Sequence, residues 1–227
     1  MNTMTPNRPD NPSITKLNIG CGPTGQFPNF VNLDNSPSIW LSKFPSIKRI
    51  LHRMGKLTDQ QLKDDWSGAV KCDASRHLPY ADGSVHKIYS SHFLEHIPPT
   101  KGFHVLKECY RVLRPDGIFR LVVPDLLWHA EQYVKRTRQL MDTQPEIIAD
   151  RKSHDAFLES VYGAYLNRRR YGLLHCYMYD WPTLTEILTS IGFKTIQRFD
   201  YRQGNDRELA ALDSRPEDSL HLEISKS

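Results

Sequence analysis

The residues of this chain that could do chemistry stand at short intervals after apolar runs. Gly20, Gly22 and Gly25 fall in the spacing G-x-G-x-x-G within Lys16–Asp34, KLNIGCGPTGQFPNFVNLD. Glycines at a strand's C-terminal end let the backbone approach a ligand that a Cβ would push away. The next apolar run, Phe30 to Leu33, ends on Asp34 and Asn35. A carboxylate at such a tip can accept both hydroxyls of a ribose, so the stretch points to a nucleoside-containing ligand. In the dinucleotide fingerprint the acid lies roughly 20 residues beyond the glycines, because a full helix separates the two strands. Here Asp34 is fourteen positions after Gly20, and Pro23 and Pro28 interrupt the interval. That spacing disfavours NAD.

Two later strand ends carry groups of the same kind. Ala69 to Cys72 runs into Asp73-Ala74, and Val85 to Ser90 runs into Ser91 and His92. Asp73 would accept the exocyclic amine of an adenine, with the Ala74 amide facing a ring nitrogen. Taken singly, an Asp after a strand is as readily a helix cap or a turn residue. At matched strand ends of one open sheet the functional reading is favoured, since ligands bind where the carboxyl ends of the strands meet.

The elements that must position these groups alternate. Strands are expected at 17–19, 30–33, 69–72, 85–90, 118–123, 193–202 and 220–225. Helices are expected at about 98–113, 126–141, 146–167 and 182–191, with Gly192 as the last one's cap. Strands alternating with helices imply an α/β fold with a mostly parallel sheet flanked by helices, and the closing pair allows an antiparallel hairpin at the C-terminal side. Residues 1–15, with Pro6, Pro9 and Pro12, read as a flexible leader before a single domain from 16 to 227. Residues 36–68 read as a helical insertion kinked or split at Pro45, and 126–180 as a helical cap. The insertion mixes Trp40, Phe44 and Leu41 with Lys43 and Arg49, so a pocket edge, a dimer contact or a membrane surface could each be its partner.

Composition narrows the class. The chain has 227 residues, 39% hydrophobic and 25% charged, which suits one soluble domain with a substantial core. The net charge is only +4, so nucleic acid is not an expected partner. The N-terminal stretch lacks an apolar core of the secretory type, and no run of about 18 apolar residues is present. Cys21, Cys72, Cys109 and Cys176 form no C-x-x-C pair, which argues against a disulfide framework or a cysteine zinc site and fits the cytoplasm.

The series LNIGCGPTG, NLD, CDASRHLPYADGSVHKIYSSHFLEHI and ECYRVLRPDGIFRLVVPD resembles the class I S-adenosylmethionine-dependent methyltransferases, closest to the type 11 group. The resemblance covers about residues 16 to 125 and continues loosely through HCYMYDWPTLTEILTSIGF. It implies a Rossmann-like, mostly parallel seven-stranded sheet with S-adenosyl-L-methionine laid across strands one to four. Gly20, Cys21, Gly22 and Pro23 would face its methionine part, Asp34 the ribose, and Asp73 with Ala74 the adenine. Ser90, Ser91 and His92 would lie beside the sulfonium. Asn18 stands where many relatives carry a carboxylate for the cofactor's amino group, so that contact is weaker or indirect. The expected acceptor is a small molecule or a glycan-type compound, handled by a monomer or homodimer. The reading set against it is a non-catalytic nucleoside-binding or scaffolding protein on the same fold.

Methyl transfer is an in-line displacement dominated by positioning, and a base is needed only when the nucleophile must lose a proton. His92 is the first candidate base and His175 the second. The structural alternatives are a helix-start hydrogen bond between His96 and Glu95, and packing of His175 on Tyr179. His52, His77, His104, His129, His154 and His221 read as surface or packing residues. His92 and His96 have the i, i+4 spacing of metal ligands, but Pro98-Pro99 follow closely and Glu95 sits off that face, so no metal is expected. The clusters Arg168-Arg169-Arg170 and Lys135-Arg136-x-Arg138 would favour an anionic acceptor if they converge on the crevice.

Overall fold

A computed structural model describes residues 15–143, 151–162, 174–215 and 218–227. Its frame is a seven-stranded sheet in the order β3-β2-β1-β4-β5-β7-β6. The strands are β1 (Lys16–Ile19), β2 (Val31–Asp34), β3 (Ala69–Lys71), β4 (Val85–Ser91), β5 (Leu113–Pro124), β6 (Thr195–Phe199) and β7 (Ser219–Ser225). β1 pairs in parallel with both β2 and β4, so the strand order reverses at β1. β3 and β5 extend the parallel part on either side. β7 lies antiparallel between β5 and β6, which is the C-terminal hairpin expected from the sequence.

Arg114-Pro115-Asp116-Gly117 lies between the helix expected at 98–113 and the strand expected at 118–123. It is an irregularity inside β5: Val85 pairs with Leu113, and pairing resumes at Lys87 with Ile118. Pro115 cannot donate to a ladder, so the four residues bulge out of the pairing.

Period-two burial splits the sheet into two faces. Leu17, Ile19, Ile88, Leu121 and Leu222 point into the main core. Helix α4 (Pro99–Val112) brings Val105, Leu106 and Cys109 there, and α7 (Trp181–Ile191) brings Leu184 and Leu188. The Asp180 carboxylate accepts from the Thr183 N–H at the start of α7, and Gly192 ends it at φ +119°. The opposite face holds Phe30, Tyr89, Val122 and Leu209, the last on α8 (Arg207–Ala210). Helix α8 lies in what reads as a polar loop in the sequence, too short for a periodic signal. Arg120 is fully buried on this face, 2.5 Å from Asp213 and 3.5 Å from Glu223. His221 joins this network at Asp213, 3.8 Å away.

Residues 36–68, read from the sequence as helical, form α1 (Ser38–Ser42), α2 (Pro45–Arg53) and α3 (Asp59–Lys63), with Pro45 opening α2. This segment is tied to the glycine loop through Gln26, whose Nε2 donates to the Asp65 carbonyl at 2.7 Å. Helices α5 (Leu126–Thr143) and α6 (Arg151–Tyr162) meet through Tyr133 stacked on Phe157 at 4.8 Å. Among the described residues, no helix is long and apolar enough to cross a membrane. Arg168 to Arg170 lie outside the described residues.

Candidate functional site

Because the order reverses at β1, the carboxyl ends of β1 and β4 diverge around a crevice, the place where open α/β sheets bind ligands. No helix intervenes between β1 and β2: residues 20–30 form turns, as the short interval and its prolines demand. Two amides of this loop fold back on β2, Gly20 N–H donating to the Leu33 carbonyl at 2.8 Å and Cys21 N–H at 3.3 Å. Gly20 has φ +73°, and a Cβ there would sit 2.3 Å from the Phe93 ring. Gly22 has φ +57°, and a Cβ there would project into open space. The first glycine is thus required by packing. The second is called for by its left-handed backbone and not by packing.

A hollow of about 130 Å³ lies beside this loop, lined among others by Gly20, Asp34, Asn35, Asp73, Ala74 and Phe93. Ligand sites for drug-sized molecules are larger, about 300–1,000 Å³, so this hollow has room for only part of such a molecule. Asp34 is oriented by the loop, its Oδ2 accepting from Gly22 N–H at 2.9 Å and its Oδ1 from Ser36 N–H at 2.8 Å. A carboxylate offers about four acceptor positions, so two remain for hydroxyls. Asp73 caps its own turn, accepting from Ser75 N–H and Oγ at 3.1 and 2.6 Å. The Ser75 hydrogen bond holds its carboxyl below the usual carboxylate range. Both aspartates therefore fill the turn-forming role that any Asp after a strand can take, and both also line the hollow.

Other residues of the expected set are committed inside the protein. Asn18 is buried, and its Nδ2 donates to the Gly25 carbonyl at 2.6 Å and to Asn32 Oδ1 at 2.9 Å. It braces the glycine loop rather than reaching into the crevice. Ser90 is also buried and donates to the Ile19 carbonyl at 3.1 Å, stapling β4 to β1. Ser91 is half-buried at the end of β4, and Pro23 is half-buried on the loop. The Cys21 thiol is pushed up to about 12, chiefly by burial and further by the Asp34 charge, so it stays protonated and is no nucleophile.

The turn after β4 is irregular. His92 has φ +49°, a left-handed conformation that a non-glycine residue adopts only when its surroundings fix it. Its N–H donates to the Val122 carbonyl at 3.0 Å, and its Nε2 lies 3.1 Å from Ser219 Oγ. Its Nδ1 faces Glu95 Oε1 at 3.3 Å. Glu95 and His96 sit on a single 3-10 turn, so His92 and His96 do not share the helical face that i, i+4 spacing would give. His175 contacts the His96 ring at 5.0 Å between centroids, and Tyr179 pairs with Tyr177 at 4.9 Å. Burial, first among its causes, holds the His175 imidazole below the ordinary histidine value.

Sequence reasoning did not single out Phe93, Ile97 and Lys101, which also line the hollow. Phe93 and Ile97 flank the L-E-H turn, and that position directly after a strand end is the signal that could have marked them. A second groove of about 200 Å³ runs between α5 and α6, lined by Trp128, His129, Tyr133, Arg136 and Ser160 among others. Of the basic cluster on α5, Arg136 is the member that lines this groove. Lys135 and Arg138 line a separate surface on the same helix.

Residues 17–121 match the family model described as a methyltransferase domain, type 11. A solved S-adenosylmethionine-dependent methyltransferase from Archaeoglobus fulgidus shares the fold at a TM-score of 0.50 and 15% identity, over 93% of this chain and 86% of that one. A possible histamine N-methyltransferase from Thermotoga maritima aligns at a TM-score of 0.46 and 14% identity, over 94% of this chain and 82% of that one. The methyltransferase domain of the citrinin polyketide synthase aligns at 0.48 and 15% identity, over 94% of this chain; the chain spans 46% of that structure. No curated protein matches the chain.

Proposed function

We propose that this chain, whose residues 17–121 match a methyltransferase-domain model, is an S-adenosylmethionine-dependent methyltransferase, and that the hollow beside the glycine loop holds the adenosine half of that cofactor. Methyl transfer then goes to a small polar acceptor entering from the side of α5 and α6. The observation that carries the cofactor assignment is Asp34, held by two backbone amides with two acceptor positions spare at the end of β2. In this reading Asp34 takes the ribose hydroxyls, and Asp73 and Ala74 meet the adenine edge. Gly22 leaves room for the methionine part, while Asn18 acts from behind by bracing the loop. The cofactor supplies an electrophilic methyl group on a cationic sulfur. The protein's contribution is to align acceptor and methyl and to receive a proton when the acceptor carries one.

His92 takes the proton-accepting role. Its backbone is fixed in an unusual conformation, it precedes Phe93 on the crevice wall, and Ser219 orients its Nε2. His175, the second candidate, lies across Glu95 from it and has its Nδ1 committed to the Ser160 carbonyl at 2.9 Å. The groove between α5 and α6 supports an acceptor of small, hydroxylated type. Trp128 and Tyr133 offer aromatic faces, while Arg136 and Gln132 supply donors suited to a sugar or an anionic group.

The test is transfer itself. Purified protein is incubated with methyl-labelled S-adenosylmethionine and metabolite extracts, and labelled products are resolved. The expected result is one labelled small polar product whose formation falls at least 100-fold in His92→Ala while S-adenosylhomocysteine binding persists. Binding of S-adenosylhomocysteine without transfer to any acceptor would overturn the enzymatic reading and leave a nucleoside-binding protein.

A further inference from the structure

We propose that Glu95, His96 and His175 form a binding site for one divalent transition-metal cation of the zinc type. The carboxylate of Glu95 is fully buried, and neither of its oxygens has a hydrogen-bond donor. Around it stand imidazoles whose protons point away. His175 Nδ1 is 2.9 Å from the Ser160 carbonyl, and His96 Nδ1 is 3.4 Å from the Leu174 carbonyl. A carbonyl oxygen cannot donate, so each Nδ1 carries the ring proton and each Nε2 presents a lone pair. His96 Nε2 faces Glu95 Oε1 at 3.8 Å. One ligand atom from each of the three residues lies within 4.8 Å of the others. Three electron-pair donors thus converge where a cation, rather than a fourth acceptor, is wanted.

The surroundings match what a metal centre requires. An Nδ1–H donated outward to a backbone carbonyl is the usual device that orients a metal-bound imidazole and fixes its tautomer. The two chain segments that supply the ligands are laced together, Cys176 N–H donating to the Glu95 carbonyl at 2.6 Å and Tyr177 N–H at 3.2 Å. A tetrahedral centre with arms of about 2.1 Å needs ligand atoms about 3.4 Å apart, so closing the cluster takes side-chain shifts of roughly 1 Å. Two imidazoles and one carboxylate suit zinc and its neighbours, whereas calcium and magnesium ask for more oxygen ligands. Three protein ligands leave a fourth position free, the arrangement of an open centre. Phe93 and Ile97, flanking the turn that carries Glu95 and His96, line the hollow, so the cluster and the hollow are neighbours along the chain.

His92 also faces Glu95, with Nδ1 3.3 Å from Oε1, but outside hydrogen-bonding geometry, which leaves the carboxylate unpartnered. The competing account is that a proton instead of a metal balances Glu95, by turning one imidazole into an imidazolium.

This inference is independent of methyl transfer and is tested without it. The full chain is stripped with a chelator, dialysed and titrated with Zn²⁺ by calorimetry. Co²⁺ is added in parallel to read its visible absorption. The expected result is one equivalent of Zn²⁺ bound, tetrahedral Co²⁺ bands, and affinity at least 100-fold lower in Glu95→Gln and His175→Gln. Asp34→Ala should bind Zn²⁺ like the wild type even if it loses S-adenosylhomocysteine, so the two sites fail separately. No Zn²⁺ binding by the wild type, or Zn²⁺ binding unchanged in Glu95→Gln and His175→Gln, would overturn the proposal in favour of the proton. Should a variant fail to fold, the wild-type Co²⁺ spectrum decides: bands of hexa-aquo form would refute the site.

Discussion

The hollow over β1–β3 and the turn over β4 lie side by side at the same edge of the sheet, yet they treat their polar groups in opposite ways. In the hollow, Asp34 and Asp73 are each satisfied by backbone or hydroxyl donors from their own loops, and each keeps acceptor capacity. Over β4, the carboxylate of Glu95 is buried with no donor at all. A pre-satisfied group is oriented at no cost to the fold and can hold a ligand that comes and goes. An unsatisfied buried group costs stability until something balances it, and it persists only where a function or a bound species maintains it. On the two proposals made above, the first region exchanges its ligand and the second retains one.

Substitutions can break that contrast, and they are ordered here by expected effect. Gly20→Val should cost about 3 kcal/mol or more of stability, from the left-handed backbone and from overlap with Phe93, and should abolish cofactor binding. Urea unfolding checks it, and a variant as stable as the wild type would show that the loop can shift. Asp34→Ala should leave the fold intact but weaken S-adenosylhomocysteine by about 3 kcal/mol, roughly 100-fold, because two charge-assisted hydrogen bonds are lost.

Asn18→Ala should cost about 2 kcal/mol, since the Gly25 carbonyl and Asn32 Oδ1 lose their shared donor. Because Asn18 acts through the loop, its loss should weaken cofactor binding less than the loss of Asp34 does. Glu95→Leu in metal-free protein should go the other way and stabilise by about 1 kcal/mol, read as a higher midpoint in thermal unfolding. A destabilised Glu95→Leu would mean that the carboxylate is balanced within the protein.

The smallest effect is a pH dependence. Arg111 hydrogen bonds hold the Glu108 carboxyl below its usual range, and the Leu78 amide donates to it as well. A depressed folded-state value adds stability above the unfolded value of about 4.3, and that part is lost as pH falls through the folded value. Glu108→Gln should therefore flatten the decline in stability below about pH 4.3 and lower stability at neutral pH.

The contrast also marks what the sequence discloses. β4 and the Ile118–Val123 part of β5 announce themselves through local runs of β-branched and aromatic residues, and Asp180 and Gly192 bracket α7 through local capping chemistry. The short interval from Gly20 to Asp34 likewise excludes a helix on chain length alone. The fates of polar side chains do not follow from such signals. Asn18 and Ser90 stand at strand positions that read as ligand-facing, and only pairing with β2 and β1 shows them spent inside the protein. The Arg120–Asp213 pair joins residues 93 positions apart, and His175 reaches Glu95 from the far side of the cap. On a regular helix Glu95 would lie off the face of His92 and His96. A 3-10 turn after a left-handed residue obeys different geometry.

The central claim is that the pre-satisfied aspartates at the ends of β2 and β3 hold the adenosine of the cofactor. It is tested most directly by calorimetric titration of S-adenosylhomocysteine into the wild type, Asp34→Ala and Asp73→Ala, each shown folded by circular dichroism. The expected result is a single site in the wild type, about 100-fold weaker binding in Asp34→Ala and a clear weakening in Asp73→Ala. Undiminished binding in both variants would contradict the account and move the cofactor elsewhere on the sheet.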